Sequence, residues 1–145
     1  MSYKGYFKPK NPNKYLGDPT NIIYRSLWEL KLMRHLDSHP EVVSWASEEL
    51  IIHYRSPVDG KLHRYFPDFV VKKKLANGIL ETVVIEVKPA SQSVEPKKQA
   101  KPTKRYIREV MTYGVNQAKW KAAKKYCDDR DWKFIVMNES HLGIK

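Results

Sequence analysis

Tyr65-Phe66-Pro67-Asp68-Phe69-Val70-Val71-Lys72-Lys73-Lys74-Leu75-Ala76-Asn77-Gly78-Ile79-Leu80-Glu81-Thr82-Val83-Val84-Ile85-Glu86-Val87-Lys88 is the stretch that decides the fold. Two runs rich in β-branched and aromatic residues flank Ala76-Asn77-Gly78, a turn signal, so the segment reads as a hairpin. One strand is expected over residues 62–72 and the next over residues 80–87. Val83-Val84-Ile85 is apolar in succession, which suits a central strand covered on both faces. Residues two apart on a strand share a face, so Glu86 and Lys88 project together and Val87 enters the opposite layer. Asp68, eighteen positions before Glu86, lies within cross-strand reach of it.

Two carboxylates and one ammonium on a common patch are the groups that phosphodiester hydrolysis needs. Carboxylate oxygens bind a hard cation such as Mg2+, which keeps several waters and takes a phosphate oxygen. The cation lowers the pKa of a bound water and neutralises charge on the phosphate. Lys88 can orient or deprotonate that water, or stabilise developing charge. A nearby cation and partial burial pull its pKa down, and the carboxylates push it up.

Working outward, residues 1–16 are rich in Lys, Tyr, Pro and Asn and read as an extended arm pinned by aromatic side chains. Asp18-Pro19 has the form of a helix start, with Asp18 as N-cap, and the helix is expected over residues 18–37. Ile23, Leu27, Leu30 and Arg34 then share one side, and Trp28, Leu32 and Leu36 an adjacent stripe. Val42-Val43-Ser44-Trp45 and Leu50-Ile51-Ile52-His53-Tyr54 are strand-like, and Ser56-Pro57-Val58-Asp59-Gly60 is a turn. An antiparallel meander is expected over these strands. Residues 89–102 hold three prolines and several lysines without periodicity, as in a mobile basic loop. Residues 103–129 read as helix, with a possible break at Gly114. Residues 132–137 read as a last strand, suited to a parallel place beside the central one because a helix precedes it.

The chain has 145 residues, 41% hydrophobic and 30% charged, with a net charge of +11. That suits a single domain over residues 1–145 with a real core. Residues 97–125 hold ten Lys and Arg against one acid, Glu109, a net +9, leaving +2 for the other 116 residues. Such concentration points to a polyanion-binding surface, nucleic acid before membrane. No apolar run approaches the roughly 20 residues that span a bilayer. The start, Met1-Ser2-Tyr3-Lys4-Gly5-Tyr6, lacks a signal-peptide core, so a cytosolic origin is expected. The single cysteine, Cys127, excludes an internal disulfide framework and a cysteine-rich zinc site, and is read as a small buried helix residue. The histidines form no HExxH pattern. There is no GxxxxGK phosphate loop, and so no ATP-driven step is expected.

Pro67-Asp68 followed by Glu86-Val87-Lys88 resembles the motif of the PD-(D/E)XK nuclease superfamily. Tyr24-Arg25-Ser26-Leu27-Trp28-Glu29 is similar to the first-helix signature of TnsA-type endonucleases. With these, Lys14-Tyr15-Leu16-Gly17-Asp18-Pro19, Arg64-Tyr65-Phe66-Pro67-Asp68, Glu86-Val87-Lys88-Pro89 and Val115-Asn116-Gln117-Ala118-Lys119-Trp120-Lys121-Ala122-Ala123 resemble the head completion nucleases of tailed bacteriophages. The resemblance implies a restriction-endonuclease-like α/β fold, a mixed sheet flanked by the two helices. It implies a metal-dependent DNA nuclease with endo- and exonuclease action, working late in virion assembly on packaged or protruding double-stranded DNA. Glu29, Asp68 and Glu86 would bind Mg2+, with Mn2+ able to substitute, and Lys88 would assist the attacking water. Head-neck or portal proteins are the implied partners, and the host cytoplasm or the virion the implied location.

Other readings stand beside these. Glu29 lies four residues after Arg25, so a helical ion pair also explains it. Arg25 either holds Glu29 or contacts a phosphate, and Arg64 either steers a phosphate or is solvated. Lys104, Arg105 and Arg108 are expected on the DNA backbone, largely without reading sequence. Asn116 and Lys119 enter the site, touch the backbone or face solvent. Trp120 is read as core. A structural neck adaptor or a non-catalytic DNA-binding protein would keep the basic segment without needing Lys88.

Overall fold

The computed structural model describes residues 4–143. Residues 1–3 of the expected arm, and residues 144–145, lie outside the described residues. In chain order the elements are β1 (Gly5–Tyr6), β2 (Ile23–Tyr24), α1 (Leu27–Ser38), β3 (Val42–Ser47), β4 (Ile52–Arg55), β5 (Leu62–Tyr65), β6 (Phe69–Lys74), β7 (Leu80–Val87), α2 (Lys104–Asp128) and β8 (Lys133–Met137). The main sheet runs β3-β6-β7-β8, with β1–β2 and β4–β5 as separate antiparallel ribbons. β7 pairs antiparallel with β6 and parallel with β8. The sheet is therefore mixed, with β7 inside it, and two helices flank it as the restriction-endonuclease-like class requires.

The alternation of β7 separates the two layers. Val83 and Ile85 join Leu32, Met33 and Leu36 of α1 in one cluster, centred on the fully buried Trp45 and Phe69. Val84 points the other way, beside Phe134 in the parallel register. Phe134 belongs to a second cluster with Ile52, Tyr54 and Tyr65 of the β4–β5 ribbon and with Val115, Trp120 and Ala123 of α2. The expected placing of Trp120 and the burial of Cys127 both hold.

The N-terminal segment is pinned by aromatics, as its composition suggests. Tyr15 meets Trp45 edge-on with ring centroids 4.7 Å apart, and Phe7 does so at 5.9 Å. Asp37, buried near the end of α1, accepts the backbone N–H groups of Lys10 at 2.8 Å and Asn11 at 3.0 Å.

Four expectations need correction. The first helix begins at Leu27, not at Asp18. Asp18 instead closes a turn, its Oδ1 accepting the Thr20 amide at 2.9 Å and the Thr20 hydroxyl. Ser26 is the true N-cap, accepting the Glu29 amide at 3.1 Å, which satisfies one of the orphan donors of the first turn. The buried stripe of α1 is Glu29, Leu32, Met33, Leu36 and Asp37, so Leu27 and Arg34 face solvent. Second, residues 62–72 are not one strand. The ladder stops at Tyr65 and restarts at Phe69, because Pro67 has no N–H to give and restricts the residue before it. Third, the strands are not a simple meander, since β3 pairs with β6 and leaves β4–β5 outside the main sheet. Fourth, α2 runs unbroken through Gly114.

A Cβ built on Gly114 meets only Pro57 Cγ, at 3.8 Å, an ordinary contact. Gly114→Ala should therefore stabilise the protein by about 0.5–1 kcal/mol. A urea unfolding midpoint that stays put or falls would contradict this.

Candidate active site

Asp68 sits at the break between β5 and β6, and Glu86 on the paired strand β7. The Val87 amide donates to Asp68 Oδ2 at 2.7 Å, a ladder bond taken by a side chain. Glu86 is 6% exposed. Its Oε1 accepts the Tyr65 hydroxyl at 2.9 Å, and its Oε2 lies 3.9 Å from Lys88 Nζ. Val87 packs against the α1-side cluster. Glu86 and Lys88 thus project together, away from Val87, as strand alternation demands. Lys88 itself is tied down by its amide, which donates to Met137 O at 2.9 Å.

Glu29 comes to this group from the first turn of α1, and the Ser26 hydroxyl donates to its Oε2 at 3.3 Å. Burial raises its pKa to about 7, with Asp68 and then Glu48 adding to the rise. Burial likewise raises Glu86 to about 7, with Asp68 as the next cause, against the opposing pull of Lys88, Tyr65 and Lys119. Asp68 is also raised by burial, although the Val87 amide and Lys88 oppose it. Burial is thus the largest cause at all three acids, and Asp68 is the charged neighbour that raises both Glu29 and Glu86.

The donor set is all oxygen, anionic and short of neutralising cations, which suits a hard divalent ion such as Mg2+ or Mn2+. Among the described residues, no three acidic, His or Cys side chains already stand grouped as a metal cage. Hydrogen bonds to Ser26, Tyr65 and the Val87 amide hold the carboxylates individually.

A model described as TnsA-like endonuclease N terminal matches residues 39–139, and with them Asp68, Glu86 and Lys88. The chain belongs to the TnsA-like endonuclease family. Over 146 aligned residues it is also 39% identical to the head completion nuclease of Enterobacteria phage T4, covering 98% of this chain and 95% of that protein. The family match begins after Arg25 and Glu29, whereas the longer likeness spans nearly the full length.

Two residues beside these carboxylates were not singled out from sequence. Glu48 follows β3 at a φ of 55°, a left-handed backbone uncommon for a side-chain-bearing residue. Its amide donates to Asp68 O at 3.1 Å. Its carboxylate takes Arg25, Nε to Oε1 at 3.1 Å. Arg25 is therefore paired with Glu48, not with Glu29. The adjacent acids Glu48-Glu49 at a strand end are the signal that was available. Tyr65 lay inside the quoted motif, but its role depends on β5 folding back over β7.

The basic residues Lys88, Lys104, Arg108 and Lys119, with the neutral Asn116, line one cavity of about 760 Å³. Lys119 Nζ lies 5.6 Å from the Tyr65 ring centroid. Arg105 lies on a neighbouring cavity and pairs with Glu109 at 3.0 Å. Arg64 is exposed, with its guanidinium 5.9 Å from the Phe66 ring centroid.

Glu29 and Glu86 hold a proton to about pH 7 when folded and to about 4.5 when unfolded. The folded state therefore binds more protons within that window, and stability falls as pH rises from about 4.5 to about 7. Thermal melts in chelator should show the fall, and Glu86→Gln should flatten it. Parallel curves for the two proteins would refute this account.

Proposed function

We propose that this chain is a metal-dependent DNA nuclease that acts in head completion, before heads join tails. The observation that carries the reading is the group at the paired ends of β6 and β7, where Asp68, Glu86 and Lys88 meet. The T4 relative is named a head completion nuclease, which supplies the setting. The substrate is double-stranded DNA, packaged or protruding, cut with endo- and exonuclease action and little sequence preference. Head-neck or portal proteins are the partners in the host cytoplasm and in the virion. Among the described residues no helix is long and apolar enough to cross a membrane. Residues 1–145 act as one nuclease domain.

Glu29, Asp68 and Glu86 would hold Mg2+, or Mn2+ in its place. When bound, the ion supplies Lewis-acid stabilisation of the phosphate and a more acidic water. Lys88, a third exposed beside a nearly buried Glu86, orients the attacking water and donates toward the negative charge that builds on phosphate oxygen. Tyr65 fixes Glu86 in place through its hydroxyl. Arg25 is held by Glu48 at the Glu29 side, where it can meet an incoming phosphate. Lys104, Arg105, Arg108 and Lys119 bind the DNA backbone, and Asn116 lies at the buried end of that surface.

Wild-type protein with Mg2+ or Mn2+ should nick plasmid DNA, and Lys88→Ala should nick it about 100-fold more slowly or worse, in line with the loss of a proton-handling group. If both proteins are equally inert and both still shift DNA in a gel, the chain is a DNA-binding module or neck adaptor.

Reversing Lys104, Arg105 and Arg108 to Glu should weaken duplex binding. The log-log salt slope should become shallower by roughly 2–3 units if each residue neutralises one phosphate. An unchanged slope would remove this face from the contact surface.

A further inference from the structure

The cavity beside Lys88 is not lined as a surface for phosphates alone. Lys104 and Lys119 stand at its two ends on α2, and Lys88 opposes them from the end of β7. Between them the wall is apolar. Ile107 and Met111, within the most basic segment, are 48% and 45% exposed, and Val58, from the turn after β4, is 52% exposed, so three hydrophobic side chains lie open on this wall. Positions 104, 107, 111, 115 and 119 recur at three and four residues, one stripe along a straight helix. Asn116, 6% exposed, closes the cavity with an amide that can donate and accept.

A base-paired duplex turns its phosphates outward and keeps its bases stacked inside. It would satisfy the cations and leave the apolar wall facing charged backbone. An unpaired strand offers both kinds of group, phosphates for the lysines and an unstacked base face for aliphatic side chains. Charge complementarity selects a polyanion, and the apolar wall selects one with base faces free to pack against aliphatic side chains.

We propose that this trough takes a short unpaired strand at a DNA end, with base against Ile107 and Met111 and phosphates on Lys104 and Lys119, leading toward Lys88. The proposal rests on the nuclease reading above and names the form of DNA that this reading leaves open.

The test compares one duplex in three forms: blunt, with a 3′ thymidine tail, and with a 5′ thymidine tail. Affinity is measured in chelator, so that it does not depend on cleavage, and cutting is then measured with Mg2+. Wild type should bind at least one tailed form about tenfold more tightly than the blunt form, toward the low end of the range known for base–aromatic stacking because this wall is aliphatic. Ile107→Ser with Met111→Ser should bring that ratio below about twofold, removing the same base contact. Val43→Ser removes an exposed apolar residue from the edge strand β3 and should keep the ratio. Equal affinity for all three forms, or a ratio untouched by the paired change, would overturn the proposal and turn the apolar wall over to a protein partner. Failure to cut any form would instead sink the nuclease reading while the binding ratio stays legible.

Discussion

The bond from the Val87 amide to Asp68 Oδ2, at 2.7 Å, is the constraint on which the site depends. At this point an antiparallel ladder would normally continue through backbone carbonyls. Pro67 interrupts it, and a carboxylate takes over the role of acceptor. The substitution anchors Asp68 beside Glu86 and delays the start of β6 to Phe69. It also frees the chain before Pro67 to turn away as β5 and to lay Tyr65 over Glu86. One interrupted ladder therefore supplies an acid, its position and the phenol that holds its partner.

Burying three carboxylates near one another opposes folding unless they are protonated or neutralised. Lys88 lies 3.9 Å from one oxygen of Glu86, while the ion pair of Arg25 is with Glu48. The group as a whole keeps an excess of negative charge in a poorly solvated place. An arrangement optimised for stability alone would pair each acid with an arginine. Here the arginine nearest to Glu29 is committed elsewhere, and the proton affinity of Glu29 and Glu86 rises toward neutral pH. Under the function proposed above, a bound divalent cation would relieve this repulsion.

What the sequence disclosed follows from how far each signal reaches. Asp68, Glu86 and Lys88 were legible because strand alternation and a short hairpin fix their relations locally. β7 was legible to the residue, since three successive apolar positions leave little choice of environment. Glu29 was visible through resemblance, and spacing alone favoured its pairing with Arg25. The start of α1 was misread because Asp18 satisfies local rules for an N-cap equally well. Ser26-Leu27-Trp28-Glu29 is a competing cap, and Ile22, buried at 1% exposure, decides between them by needing an extended backbone into the core. Glu48 and Tyr65 act through contacts with Arg25 and Glu86 that are distant in sequence. No local pattern reports Tyr65, and for Glu48 the adjacent acids Glu48-Glu49 are the only local hint.

If the basic face binds DNA as proposed, the continuity of α2 joins that binding to the chemistry. A break at Gly114 would have let the basic N-terminal half move independently of the half packed on the sheet. Instead Ala123 is fully buried, and Lys119 lies near the ring of Tyr65, whose hydroxyl donates to Glu86. The same straight helix carries Lys104 and Arg108 outward along one stripe. Under the function proposed above, a phosphate bound at the far end would lie at a distance from the carboxylates set by that one unbroken helix. Positioning of this sort lowers a barrier because the orientation is set before the reaction begins.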